Sequence, residues 1–94
     1  MDDGKEIDDW RARIDEVDVR IVDLINERLG YAIEIGELKR ASGRQVRDRA
    51  RERALVERLQ ALNQGPLSQE AIADLFDRIM SEARILEGGG DGER

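Results

Sequence analysis

Positions seven apart near the start of the chain read Ile7, Ile14, Ile21, Arg28 and Ile35, and their companions three residues on read Trp10, Val17, Leu24, Tyr31 and Leu38. A 3-4 alternation kept up for about four and a half heptads specifies one long helix with a narrow apolar stripe. Arg28 alone breaks it. A guanidinium stays protonated inside proteins and is costly to bury unpaired, so Arg28 must face either an acidic partner or an anionic ligand. Spacing alone leaves both open.

The pattern predicts a first helix from about Ile7 to Arg40, ended by Ser42-Gly43, with Gly30 and Gly36 inside it as mild propensity defects whose bare backbone suits close packing. A second helix begins around Arg47 or Asp48. It carries Glu52, Leu55, Val56, Leu59 and Leu62 on one face before Asn63-Gln64-Gly65-Pro66 breaks it. Ser68 as N-cap, with Glu70 in the first turn, announces a third helix through Ile72, Leu75, Phe76, Ile79, Met80, Ala83 and Leu86, stopped by Gly88-Gly89-Gly90. No strand pattern or internal repeat accompanies these segments. The expected class is all-α, one long and two shorter helices in a single domain over residues 1–94, with flexible ends at about 1–6 and 88–94.

Composition narrows the chemistry. The chain has no cysteine and no histidine, which removes disulfides, thiol nucleophiles, imidazole catalysis and Cys/His metal sites. A formal charge of −6 disfavours nucleic acid or an anionic membrane surface as the main partner, and one Trp, one Tyr and one Phe are too few for base-stacking platforms. Any anion site must therefore be local. The acidic start, Met1 to Asp9, lacks the basic and apolar regions of a signal peptide, and no apolar run approaches the roughly 20 residues of a membrane span. A cytoplasmic protein is expected.

Length adds an assembly argument. A helix of about 34 residues is roughly 50 Å long, whereas a compact chain of this size has a radius of gyration near 12 Å. The stripe nevertheless continues to both ends, so another chain must cover what the short helices cannot, and a homodimer built around paired first helices is expected.

Lys39 follows Arg28 by eleven residues, three turns or roughly 16 Å, so two long side chains can converge on one small molecule. Arg11 precedes Arg28 by seventeen residues, roughly 25 Å, and can share a small ligand with it only from a two-fold mate. For Asp48 and Glu52, at the start of the second helix, capping or surface charge competes with a ligand role. Glu87 stands seven residues after Met80, on the inner flank of the third helix or in a solvated last turn.

Taken together, Trp10-Arg11, the Asp18 region, Glu27-Arg28, Gly36-Glu37-Leu38-Lys39, Val46-Arg47-Asp48 and Arg51-Glu52-Arg53 resemble the all-helical chorismate mutases, and among them the small bacterial type that forms an intertwined dimer. The resemblance covers nearly the whole chain. It implies that Arg28 and the partner subunit's Arg11 bind substrate carboxylates and that Lys39 donates to the ether oxygen. It further implies Asp48 and Glu52 near the ring hydroxyl with Arg51 beside them, and an apolar wall at Ile35, Leu55 and Met80. Where the family commonly has a glutamine as second donor to the ether oxygen, this chain has Glu87, as some fungal members do. Where some members have a serine, it has Ala83.

The implied reaction is the unimolecular [3,3] rearrangement of chorismate to prephenate in aromatic amino-acid biosynthesis, which needs no nucleophile, metal or cofactor and so suits a chain without His or Cys. Its substrate is a small dianion, and the family also admits a partner enzyme from the same pathway. Two alternatives stand beside this reading. One is the isochorismate-pyruvate lyase branch, which shares the fold and anion clamp, although Asp48 and Glu52 lean toward the mutase. The other is a non-catalytic helical module in which Arg28 and Lys39 pair with Asp48, Glu52 or Glu87 across the bundle.

Overall fold

The computed structural model describes residues 3–43 and 47–88. The chain forms three α-helices, α1 (Asp3–Ser42), α2 (Arg49–Leu62) and α3 (Gln69–Leu86), with no strand among the described residues. Val46 and most of the expected flexible ends lie outside the described residues.

Helix α1 starts four residues before the expected Ile7. The carboxylates of Glu6, Asp8 and Asp9 sit near the positive end of the helix dipole, and exposed acidic residues there favour helix over coil. It ends where Gly43 takes a φ of +77° and its N–H reaches the Arg40 carbonyl at 3.4 Å. Helix α2 begins at Arg49 because Asp48 is its N-cap, extended at φ −131° and ψ 92°, with its carboxylate accepting from the Arg51 N–H at 3.0 Å. Ser68 caps α3 in the same way, accepting from the Ala71 N–H at 3.0 Å. Between α2 and α3, Gln60 and Gln69 exchange side-chain to main-chain hydrogen bonds at 3.0 and 2.8 Å, closing the turn across Pro66.

Helix α3 is the centre of the packing: it lies against α1 on one side and α2 on the other, and α1 and α2 do not pack on each other. The buried apolar residues are Ala32, Ile72, Met80 and Ala83. On α1 the face toward α3 is Ile25, Leu29, Ala32 and Gly36, half-buried or buried, which is a second 3-4 series one position out of phase with the heptad stripe. The stripe itself is exposed in this chain, from Trp10 at 62% to Leu38 at 70%. Every residue from Gly4 to Leu24 is exposed. On α3 the expected inward set is also modified, because Leu75 and Leu86 are about half exposed while Arg84 is buried.

At Gly36 the backbone of α1 lies close against the C-cap of α3. A Cβ there would stand 2.8 Å from Glu87 Cα and 2.9 Å from Glu87 Cβ, so only glycine fits.

Candidate active site

Where the last turns of α1, the start of α2 and the end of α3 converge, they enclose a cavity of about 900 Å³. Helix α1 contributes Arg28, Tyr31, Ala32, Ile35 and Lys39, one face over three turns. The segment entering α2 contributes Arg47, Asp48, Arg49, Arg51 and Glu52, and α3 contributes Met80, Ala83, Arg84 and Glu87. Six cations thus face three carboxylates, an excess of three positive charges in a chain whose formal net charge is −6.

Most of the residues singled out from sequence lie together here, but Leu55 and Arg11 do not. Leu55 is half-buried on α2 outside the lining, and Arg11 is exposed far down α1. Arg28 is half-buried rather than fully buried and forms no ion pair with a described carboxylate. Burial, then the like charge of Arg51, push its guanidinium below its ordinary value, and Glu87 opposes them. The first two effects mark a cation short of compensating charge.

Glu52 has the opposite situation. Its Oε2 accepts from Arg84 Nη1 at 2.9 Å and its Oε1 from Arg47 Nη2 at 3.3 Å, so α2 and α3 are joined by an ion-paired triad in the cavity wall. Arg84, only 7% exposed, is a cavity residue that sequence reasoning misses. A positional signal exists: Met80, Arg84 and Glu87 follow one another at four and three residues, on one helix face. Arg47 and Arg49 carry no such signal because they flank a cap. Tyr31 belongs to the stripe by spacing, yet it lines the cavity. Its phenol donates to Glu27 at 2.8 Å, and that hydrogen bond, with the carboxylate charge, raises its pKa.

Glu87 is the C-cap of α3 and only 9% exposed, so its side chain is buried even though Ile85 and Leu86 beside it are about half exposed. Its Oε1 lies 4.0 Å from Lys39 Nζ, is buried, and has no hydrogen-bond partner. One cross-bundle pairing of the non-catalytic alternative is therefore present, at the longest distance an ion pair allows. A buried carboxyl oxygen beside a lysine and without a donor is poised to hydrogen-bond something that enters the cavity. Among the described residues no group of His, Cys, Asp or Glu is arranged to hold a metal ion, and no helix is long and apolar enough to cross a membrane.

The family model described as chorismate mutase type II matches residues 10–88. Among similar curated proteins, the bifunctional chorismate mutase/prephenate dehydratase of Neisseria gonorrhoeae is 46% identical over 77 residues, which is 82% of this chain and 21% of the relative. The bifunctional enzyme of the same name from Stutzerimonas stutzeri is 37% identical over 92 residues, 93% of this chain and 25% of the relative. The chain thus spans a quarter or less of the length of these relatives. Among solved structures, a chorismate mutase from Thermus thermophilus superposes with a TM-score of 0.86 at 34% identity, covering 88% of this chain and 94% of that one.

Proposed function

As the chain belongs to the type II chorismate mutase family, we propose that it converts chorismate to prephenate, breaking the ether C–O bond and forming a C–C bond within one molecule. The observation that carries the reading is the excess of positive charge in the cavity, with Arg28 half-buried and in no ion pair with a described carboxylate. A dianion supplies the missing charge. In this reading Arg28 and Arg11 of the partner subunit hold the two carboxylates, so that the substrate stays folded in its reactive chair. Lys39 donates to the ether oxygen as negative charge grows there. Asp48, Arg51 and Glu52 meet the ring hydroxyl, and Ile35, Met80 and Ala83 form the apolar wall, with Leu55 behind it. Glu87 acts beside Lys39 as a second donor, which requires its protonated form, since a carboxylate has no hydrogen to give.

No group has to be attacked or oxidised, so positioning and charge stabilisation suffice. Two or three charge-assisted hydrogen bonds at about 1.5–3 kcal/mol each are the right order for a catalyst of moderate power.

We further propose that the enzyme is a cytoplasmic homodimer whose partner chain lies on the exposed stripe of α1, bringing Arg11 to the far site. Its product would then pass to a prephenate-consuming enzyme, the second activity named in its bifunctional relatives.

The deciding experiment is an absorbance assay for loss of chorismate, repeated with isochorismate. Turnover of chorismate alone is expected. Pyruvate release from isochorismate would place the chain on the lyase branch, and inertness toward both would favour the non-catalytic module.

A further inference from the structure

Three contacts between the end of α1 and the end of α3 fall on a single residue, Glu87. Gly36 leaves room beneath its backbone, Lys39 Nζ stands 4.0 Å from its Oε1, and Arg40 Nη1 donates to its main-chain carbonyl at 2.6 Å. Gly36, Lys39 and Arg40 follow one another at three and one residues, so one turn of α1 supplies all three. Gly88, at φ +95°, completes the arrangement: a Cβ on it would lie 3.0 Å from the same Arg40 nitrogen.

The last carbonyls of a helix have no intrahelical donor, and the final turn frays unless something holds it. Here a charged donor from another helix does so at the residue that carries the cavity carboxyl. The Glu87 Oε1 has no hydrogen bond of its own, so its place depends on the backbone from which it hangs. Arg40 is exposed and does not line the cavity. We propose that Arg40 is a positioning residue, which sets the Glu87 carboxyl beside Lys39 by gripping the Glu87 carbonyl and never touches the substrate. The proposal rests on the cavity being a chorismate mutase site.

The test measures kcat and KM for chorismate, with thermal unfolding, in wild type, Arg40→Leu, Arg40→Lys and Glu87→Ala, and in the Arg40→Leu/Glu87→Ala double variant. Because small misplacements of a catalytic group are costly, Arg40→Leu is expected to lower kcat about tenfold or more with KM nearly constant. Arg40→Lys should recover most of the loss. On the Glu87→Ala background Arg40→Leu should cost nothing further. Loss by the same factor there, or unchanged kcat in Arg40→Leu, overturns the proposal. If Arg40→Leu does not fold, Arg40→Gln takes its place in the same comparison. A wild type that leaves chorismate untouched sinks the functional reading instead. The positioning claim is then decided by the carbon NMR signal of the Glu87 carboxyl, which Arg40→Leu must shift more than that of any other glutamate.

Discussion

Arg28 shows how far one residue can be read. Its place in an apolar series marks it as needing an anion, and the fold half-buries it in a cavity where Arg51 repels it, Glu87 only partly compensates, and it forms no ion pair with a described carboxylate. If it clamps a substrate carboxylate, Arg28→Ala should lower kcat/KM by about a hundredfold or more, since removing one partner of a buried charged contact costs roughly 3 kcal/mol. Steady-state kinetics on a folded variant checks this, and near-wild-type turnover would refute the clamp. Glu87 carries a second prediction. Glutamine has the same shape and an N–H₂ that always donates, so Glu87→Gln should keep or raise kcat/KM, whereas Glu87→Leu, which has no donor, should lower it about tenfold or more. Equal kcat/KM in wild type, Glu87→Gln and Glu87→Leu would mean that Glu87 does not meet the ether oxygen. Arg84 marks the limit of sequence reading: an arginine on an amphipathic helix is normally exposed, and the partner that compensates the burial of this one is Glu52, 32 residues away on another helix. Residues related by one helix's own spacing are visible in the sequence. Partners brought together only by packing are not.

At the scale of elements, the three helices, the Ser68 N-cap and the glycine that ends α1 are legible because they depend on local chemistry, whereas α2 begins at Arg49, past the expected Arg47 or Asp48, because Asp48 serves as its cap. The face of α1 that packs within the chain is less so. Two 3-4 series run along α1 one residue apart, and the stronger, Ile7 to Leu38, is not the one that meets α3. Pattern strength ranks apolar faces without saying which neighbour each meets. The two internal glycines give a paired prediction. A methyl added at Gly30 would meet nothing within 4 Å, so Gly30→Ala should stabilise by about 1 kcal/mol through helix propensity. Gly36→Ala gains the same propensity but drives a methyl to 2.8 Å from Glu87 Cα, an overpacking that typically costs about 1–3 kcal/mol and displaces α3. Thermal unfolding should therefore shift up for the first variant and down for the second, and only the second should lose activity.

The whole molecule is 64 Å long with a radius of gyration of 17.5 Å, against roughly 12 Å for a compact chain of its length. That overhang is deducible from the length of the stripe, whereas the cavity is not, because its width depends on α3 keeping α1 and α2 apart. If two chains close around each other, each site draws Arg28 from one and Arg11 from the other. Mixing Arg11→Ala with Arg28→Ala subunits should then restore activity, because in each heterodimer one site carries both lesions and the other neither. Mixed dimers as inactive as either parent would mean that Arg11 acts within its own chain or not at all.

The cluster of six cations in an otherwise anionic chain also bears on kinetics. A positive funnel draws a dianion in against the repulsion of the surrounding surface, and salt screens that attraction over about 10 Å at roughly 0.1 M. Raising ionic strength should therefore slow capture, seen as a falling kcat/KM. In the proposed rearrangement, however, both carboxylates stay in place, so the departing molecule would be as negative as the arriving one. The same field that speeds arrival opposes escape, and a cavity built this way turns over no faster than it can let go.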